Sequence, residues 1–486
     1  MFFERVKQGF FGNVRNDLLS GLTVAFALIP EAIAFSIMAG VDPMVGLYAS
    51  FTIAVTISIV GGRPGMISAA TGAMASLMGP IIVKYGLDYL FAATVLTGII
   101  QWVLGSLKVG KFITFVPQSV IVGFVNALAI IIFMAQLPNF AGATWVMYLM
   151  VAGTLAIIYL LPRLTTAVPS ALVAIIVMTV IAMLTGADLR TVGDMGSITQ
   201  ALPVFHLPQV PLTLGTLLAL FPYSLALAVV GMTETLLTAT IVDEMTDTKS
   251  NKNLEIRGQG IANVITGFFG GMAGCAMIGQ TVINVKSGGR TRLSTFVAGI
   301  FLLFLILVLG DVVKQIPMAA LVGVMFMVSI GTFDWNSIRT IGKIPRGDAV
   351  VMVLTVAIVV ATSDLAIGVV SGVIMSALNF GWKMARLRSH SFMNEKGHKV
   401  YEISGQLFFG TMTHFVEQFE YAADPEHVVI DLSASHVWDH SAVTAISKAT
   451  QKYAALGKKV TLTGLNQESR QMIDRVGLTA GGSAHS

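Results

Sequence analysis

Long apolar segments separated by short polar breaks fill the chain from residue 17 to residue 385. A helix needs about 20 mainly apolar residues to cross the hydrocarbon core of a bilayer. Divided at its glycines, prolines and charges, the pattern predicts fourteen membrane-spanning helices, which begin near residues 18, 44, 66, 89, 112, 144, 168, 214, 256, 275, 293, 316, 348 and 364. The sequence therefore predicts a polytopic α-helical membrane protein, with an N-terminal segment at 1–16 and a transmembrane domain at 17–388.

A different pattern begins after Arg388. Short apolar runs rich in β-branched residues alternate with amphipathic stretches, in the order strand, helix, strand, helix, strand, helix. Period 2 in the runs and period 3.6 in the stretches are typical of a small α/β domain. We therefore predict a separate domain over residues 398–486 on the cytoplasmic side, with a flexible tail at its end, TAGGSAHS.

The positions of the basic residues orient the predicted helices. Short cytoplasmic loops of membrane proteins carry an excess of Lys and Arg. With fourteen spans and a cytoplasmic N-terminus, 19 Lys and Arg fall in inside segments, 3 in outside segments and 8 in the C-terminal domain, which accounts for all 30. This asymmetry favours an even number of spans and cytoplasmic termini, although an error of two short spans would leave it unchanged.

The two halves of the membrane segment share features at equivalent places. Gly-Gly-x-x-Gly occurs at Gly61–Gly65 before the third predicted span and at Gly270–Gly274 before the tenth, 209 residues later. Acidic residues lie inside the first and eighth spans, at Glu31 and Glu234, 203 residues apart. Both offsets correspond to seven spans, and an odd number gives the halves opposite topology. The pattern indicates inverted repeats, against the alternative of a chance match among 48 glycines.

Composition and motifs exclude several classes of protein. Hydrophobic residues make up 55% of the chain and charged residues 12%, and the formal net charge is only +4, so no nucleic-acid partner is indicated. The single cysteine, Cys275, cannot form an intramolecular disulfide. The chain has no Walker motif, and its membrane part has no residues at metal-ligand spacing. We therefore expect no ATP-driven pump, no enzyme activity, no metal and no cofactor.

Two predicted spans, the third and the tenth, are short and interrupted by Gly or Pro. Such segments are typical of paired half-helices, each beginning near the membrane midplane after an extended strand. A helix start offers free N–H groups and a partial positive charge, so two starts at one cavity would bind an anion without a basic side chain. The alternative is a pair of ordinary glycine-rich packing helices. The predicted helix starts are Ala70, Thr71 and Gly72 in the third span and Ala276, Met277 and Ile278 in the tenth.

Two acidic residues lie within apolar spans, where a charged side chain costs about 2.5–3.5 kcal/mol on insertion scales. Glu234 is followed one helical turn later by Thr238 on the same face. We expect these two residues to bind a coupling Na⁺ or to hold a proton. Glu31 follows Pro30, which opens the helix locally. The alternative is that either glutamate is a hydrogen-bonded structural group.

Three motifs carry a resemblance to a known family. They are LIPEAIAFSIMAGVDPMVGLYASF in the first two spans, GGRPGMISAATGAM in the third, and SNKNLEIRGQGIANVITGFFGGMAG before the tenth. Together with SGGRT at 287–291 and the C-terminal domain, they resemble the SulP (sulfate permease) family of anion transporters with a STAS domain, along almost the whole chain. The resemblance implies seven-plus-seven inverted repeats, a core domain that moves elevator-like against a gate domain, and a homodimer.

The resemblance also implies a substrate and its contacts. It places substrate contacts at the two helix starts and at Glu234 and Thr238, and the predicted substrate-binding residues also include Glu31, Phe35 and Gln280. Many relatives carry an arginine at the position of Gln280 and a glutamine at that of Glu31, so this site is more negative and favours a coupled cation. The expected function is secondary active symport of a small oxyanion, bicarbonate or sulfate, with Na⁺ or H⁺ across the inner or plasma membrane.

Two other functions fit parts of the sequence. A nucleobase-type permease of the same fold would need polar partners for base edges in the tenth span, where only Gln280 offers one. A membrane-anchored signalling scaffold with the STAS-like domain as its output would not need the buried charges Glu31 and Glu234. In soluble relatives of that domain a serine is phosphorylated, and Ser441 is its best match here. The alternative is that Ser441 caps a helix.

Overall fold

A computed structural model describes residues 10–110, 117–165, 169–186, 188–196, 199–362 and 365–475. The predicted flexible tail and the first nine residues lie outside the described residues. The chain divides into two compact units, one up to Val373 and the other from Ile374. The first unit holds most of the apolar helices, and the second contains a β-sheet.

The membrane part of the chain contains a helix at each of the fourteen positions that the apolar pattern predicts. Chain-breaking residues set the helix ends: Gly40 ends the first helix in a left-handed conformation with φ 77°, and Pro43 begins the second. The helices are α1 (Val14–Ala39), α2 (Pro43–Val60), α3 (Gly72–Tyr85), α4 (Leu87–Ser106), α5 (Gln118–Gln136), α6 (Trp145–Leu160), α7 (Ser170–Thr185), α8 (Leu214–Thr246), α9 (Lys252–Phe268), α10 (Ile278–Lys286), α11 (Arg292–Lys314), α12 (Met318–Thr332), α13 (Arg346–Thr362) and α14 (Leu365–Met384).

Not every one of these helices has the length and the apolar composition of a membrane-spanning helix. Within the described residues, nine helices are long and apolar enough to do so. The other five, α3, α7, α9, α10 and α13, are shorter or less apolar. The architecture is that of a polytopic helical membrane protein, and the count of fourteen crossings stays a prediction.

The helices of the first unit pack in two groups. In one group α1–α4 pack with α8–α11, and in the other α5–α7 pack with α12 and α13. The groups meet where α1 contacts α7 and α12 and where α3 contacts α5. The division into a core domain and a gate domain that the family resemblance implies stays a prediction for these two groups. Glu31 on α1 and Glu234 on α8 both belong to the first group.

The third and tenth predicted spans are broken, as their sequences predict. Each enters as a three-residue strand, β1 (Ser68–Ala70) or β2 (Gly274–Ala276), and the two strands pair antiparallel. Helices α3 and α10 begin two residues after their strands, at the predicted positions. The pairing satisfies backbone groups that would otherwise be unbonded at membrane depth. Because the strands are antiparallel, the two helices begin beyond opposite ends of one short ladder.

The second unit contains the alternating strands and helices predicted after Arg388. Its elements are β3 (Arg388–Met393), β4 (Lys399–Leu407), α15 (Met412–Glu417), β5 (His427–Val437), α16 (His440–Ala455), β6 (Lys459–Thr463) and α17 (Gln467–Arg475). The sheet order is β3-β4-β5-β6, with β3 and β4 antiparallel and the other neighbours parallel. Helices α15 and α16 lie in the crossovers that parallel strands require. The sequence pattern missed β3, because its residues, RSHSFM, are mostly exposed and show no apolar alternation.

A buried carboxylate organises the core of the second unit. Asp424 is 5% exposed, and it accepts hydrogen bonds from the hydroxyls of Tyr401 at 2.9 Å and Tyr453 at 2.5 Å. Burial raises the pKa of Tyr401 to about 12 and raises that of Tyr453 further, and the Asp424 carboxylate acts in the same direction. Both hydroxyls therefore remain protonated donors at neutral pH.

We expect Asp424→Ala to destabilise this domain, because it leaves two buried hydroxyls without their acceptor. The free energy of unfolding should fall by about 2–6 kcal/mol, since each of the two unsatisfied buried hydroxyls costs about 1–3 kcal/mol. Hydrogen exchange of the full chain, followed in peptides from β4 and β5, measures this loss. The control is Asp474→Ala at an exposed position of α17, with an expected change below about 0.5 kcal/mol. Equal protection in both variants would contradict the role given to Asp424.

Candidate functional site

The start of α3 lies where the two helix groups meet. Thr71 caps this helix, because its hydroxyl accepts a hydrogen bond from the Met74 N–H at 3.4 Å. A Cβ on Gly72 would lie 2.9 Å from a ring carbon of Phe35 in α1 and 3.1 Å from Ile132 in α5. A larger residue at Gly72 would therefore have to displace both side chains. The first amides of α3, which have no intrahelical partner, thus lie next to one apolar side chain from each helix group.

Glu234 belongs to a chain of polar contacts beside the β1–β2 ladder. It lies on α8 and is 8% exposed. The Cys275 thiol donates a hydrogen bond to the Glu234 Oε2 at 2.8 Å, and the Thr71 Oγ1 lies 3.2 Å from the same sulfur. Cys275 pairs with Ala69 in the ladder. The structure therefore brings two predicted residues, Glu234 and Thr71, together through a cysteine that the sequence analysis considered only for disulfides.

Glu31 and Gln280 form a second contact between the two halves of the membrane part. Glu31 on α1 is 7% exposed, and Gln280 in the first turn of α10 is 4% exposed. The side-chain amide of Gln280 lies beside the Glu31 carboxyl group. The position at which the family resemblance implies an arginine in many relatives thus holds a neutral amide beside a carboxyl group.

Two of the backbone N–H groups predicted to bind an anion at the start of α10 already donate hydrogen bonds within the protein. The N–H of Ala276 donates to the Thr235 hydroxyl at 3.2 Å, and the N–H of Met277 donates to the Ile67 carbonyl at 2.9 Å. The first intrahelical hydrogen bond runs from the Thr281 N–H to the Met277 carbonyl at 3.1 Å, so only the amides of Ile278, Gly279 and Gln280 have no intrahelical partner. An anion at this helix start would therefore meet these three amides.

Thr238 lies one turn after Glu234 and is fully buried. Its hydroxyl donates to the main-chain carbonyl of Glu234 at 2.8 Å, so the observed contact runs through the backbone. The hydroxyl oxygen keeps lone pairs that can accept a hydrogen bond or coordinate a cation. No group of three or more His, Cys, Asp or Glu side chains in the described part of the chain could hold a metal ion. Joint cation binding by Thr238 and Glu234 stays a prediction.

Polar side chains that the sequence analysis missed hold the ladder from neighbouring positions. Ser50 in α2 accepts a hydrogen bond from the Ala70 N–H at 3.3 Å. Thr281 in α10 accepts one from the Ile67 N–H at 3.0 Å. Both are small polar residues inside apolar segments, and this is the signal by which they could have been found. Together with Thr235, they fix the backbone from which the two short helices begin.

The second unit shows which residue caps the helix that contains Ser441. Asp439 is the N-cap of α16, and its carboxylate accepts hydrogen bonds from the N–H groups of Ala442 at 2.9 Å and Phe409 at 2.8 Å. The alternative that Ser441 caps this helix is therefore wrong, because Ser441 already lies inside the first turn. Ser441 is partly exposed, and its phosphorylation stays a prediction.

Comparison with known sequences gives matches over nearly the whole chain. The model of the sulfate permease family matches residues 14–148 and 143–355, and the STAS domain model matches residues 393–481. The putative sulfate transporter YbaR of Bacillus subtilis is 59% identical over 471 residues, which cover 97% of this chain and 98% of YbaR. The bicarbonate transporter BicA of a Picosynechococcus strain is 27% identical over 525 residues, which cover 96% of this chain and 92% of BicA.

Solved structures show the same architecture. The transmembrane domain of a cyanobacterial bicarbonate transporter, BicA, matches with a TM-score of 0.65 and 30% identity, over 75% of this chain and 98% of that one. The murine anion transporter Solute Carrier 26 family member A9, in an inward-facing state, matches with a TM-score of 0.85 and 18% identity, over 99% of this chain and 90% of that one. The second comparison extends the shared fold to the whole chain.

Proposed function

The chain belongs to the sulfate permease family, and from this premise we propose that it is a secondary active transporter of a small inorganic oxyanion. As a member of a transporter family, it is not an enzyme. Sulfate is the first candidate, because the relative that is 59% identical is named a putative sulfate transporter. Bicarbonate is the second candidate, because two relatives at 27% identity are named bicarbonate transporters.

One observation carries this proposal: two short helices begin at a shared strand pair, with a buried carboxyl group beside them. Helix starts attract anions through their unpaired N–H groups and the helix dipole. Glu234 contacts the Cys275 thiol next to that pair, and none of the ion pairs among the described residues includes Glu234. A bound anion beside an unbalanced carboxylate would be repelled. A cation or proton at Glu234 would therefore favour anion binding.

The membrane potential gives a second reason for a coupled cation. At −100 mV inside, importing one negative charge costs about 2.3 kcal/mol. About 1.4 kcal/mol corresponds to a tenfold concentration ratio. The membrane potential therefore lowers the equilibrium ratio of inside to outside anion concentration by about fiftyfold. We propose that Glu234, with Thr238, binds Na⁺ or takes up a proton and so completes the anion site.

The two helix groups support an elevator-type mechanism. Both short helices, Glu31 and Glu234 lie in the first group, whereas Ile132 contacts the start of α3 from the second group. Movement of the first group against the second would carry the whole site past Ile132. The inverted repeats, the cytoplasmic termini, the homodimer and the inner or plasma membrane belong to this same proposal.

Uptake of labelled sulfate and bicarbonate into proteoliposomes, with an Na⁺ gradient and then with a pH gradient, tests the proposed function. We expect one of these anions to accumulate at least about tenfold more with one gradient than without it, since a gradient worth about 1.4 kcal/mol suffices for that ratio. Liposomes without protein set the background. Labelled uracil is the competing substrate, and its accumulation in place of either anion would support the nucleobase alternative and contradict the proposal.

A further inference from the structure

A buried asparagine pairs with the backbone at the start of β2. Asn263 on α9 is fully buried. The Gly274 N–H donates to the Asn263 Oδ1 at 2.9 Å, and the Asn263 Nδ2 donates to the Gly274 carbonyl at 3.1 Å. One side-chain amide therefore satisfies both backbone groups of a single strand residue.

This pairing takes the place of a third strand. The N–H and C=O of one strand residue point towards the same edge, and β1 lies at only one edge of β2. At the other edge, Asn263 supplies the donor and acceptor that a neighbouring strand would supply. Without it, the buried N–H of Gly274 would have no partner, which native structures rarely tolerate, and the Gly274 carbonyl would keep only the hydrogen bond from Gln259.

Two further amides complete the arrangement. The Gln259 Nε2, one turn earlier on α9, also donates to the Gly274 carbonyl, at 2.9 Å. The Asn263 Nδ2 donates to the Gln101 Oε1 on α4 at 2.8 Å, which fixes the orientation of the asparagine amide. All three side chains are at most 1% exposed. We call Gln101, Gln259 and Asn263 the amide cluster.

We propose that Asn263 is a positioning residue of the anion site, acting through β2. Gly274 immediately precedes Cys275, whose thiol donates to the Glu234 carboxylate at 2.8 Å, and α10 begins at Ile278. By holding Gly274, Asn263 sets the place of the Glu234 contact and of the α10 helix start. The role in anion binding rests on the proposed function, whereas the role in holding β2 does not.

The test uses Asn263→Leu in the full-length chain, because leucine has a similar size and no hydrogen-bonding groups. Cys275 is the only cysteine of the sequence and is fully buried, so thiol labelling reports on β2 alone. We expect the labelling rate to rise at least about tenfold, because the loss of hydrogen bonds to Gly274 makes local opening of β2 more frequent. We also expect the KM for labelled sulfate to rise by about tenfold with the maximal rate within about twofold, as lost binding contacts predict.

The matched control is Asn253→Leu on the same helix, whose amide oxygen accepts from the Gly110 N–H and does not contact Gly274. Its labelling rate and KM should stay within about twofold of the wild-type values. If Asn263→Leu does not fold, Gln259→Met removes only one hydrogen bond to Gly274 and should give a smaller rise in labelling. A folded variant with unchanged labelling would overturn the role of the asparagine in holding β2.

Faster labelling with an unchanged KM would overturn the link between Asn263 and anion binding. Labelling is measured without any anion, so its result holds whether or not the proposed transport function is correct. Failure of the wild-type chain to take up any tested anion would instead contradict the proposed function.

Discussion

Glu234→Gln is expected to abolish gradient-driven accumulation of the anion. Glutamine keeps the size and hydrogen-bonding capacity of the side chain but cannot carry the negative charge that a coupling cation or proton neutralises. At −100 mV, one charge is worth about 2.3 kcal/mol, so the variant should lose at least about tenfold in accumulation at equal protein. Proteoliposome uptake with the ion gradient that drives the wild-type chain measures this loss.

Downhill exchange separates coupling from binding in the same preparation. Without a gradient, the Glu234→Gln variant should still exchange labelled for unlabelled anion, because the helix starts are unchanged. The control is Glu244→Gln, an exposed glutamate on the same helix α8, which should accumulate the anion as the wild-type chain does. Full accumulation by Glu234→Gln, driven by the same ion, would reject the coupling role of Glu234.

Gly274→Ala is expected to disrupt the β1–β2 pair and reduce transport below about a tenth of the wild-type rate. A Cβ at this position would clash with the Ala69 carbonyl oxygen and would lie 2.6 Å from the Ile53 Cδ1. The backbone oxygen belongs to the paired strand and cannot move without moving the strand itself. Extra atoms in a closely packed interior cost about 1–3 kcal/mol, and here the strain falls on the residues that position both helix starts.

The matched control for Gly274→Ala is Gly79→Ala in α3, where a Cβ would have no atom within 4 Å. Alanine is favoured over glycine in a helix interior by about 1 kcal/mol, so this variant should transport the anion normally. Initial rates of uptake and melting temperatures of the two variants, measured side by side, give the comparison. Normal transport by Gly274→Ala would show that the strand pair can open without consequence for the site.

The sequence predicted much of the candidate site, because broken helices leave local signals. Gly and Pro at the third and tenth spans, with polar residues at their starts, indicated where α3 and α10 begin. The contacts between these segments could not be predicted in the same way. Thr71 and Cys275 are 204 residues apart in the chain, and no local pattern in either segment specifies the other.

The amide cluster shows what the hydrophobic pattern leaves out. Asn263 lies in a helix that the pattern treated as one more apolar span, and its partner Gly274 lies 11 residues away, beyond the end of that helix. An asparagine in such a span indicates that a partner exists but does not identify it. The partner follows from the packing of α4, α9 and β2, which depends on all three segments together.

The sequence by itself determined the helix positions, the breaks in two of them, and the separate α/β domain, because these depend on hydrophobic periodicity and on the local conformational limits of glycine and proline. Only the tertiary structure decided that β1 pairs with β2, that a cysteine connects Thr71 to Glu234, and that Gln280 faces Glu31. The physical reason is that a buried polar group must find a partner, and which partner it finds depends on how distant segments pack.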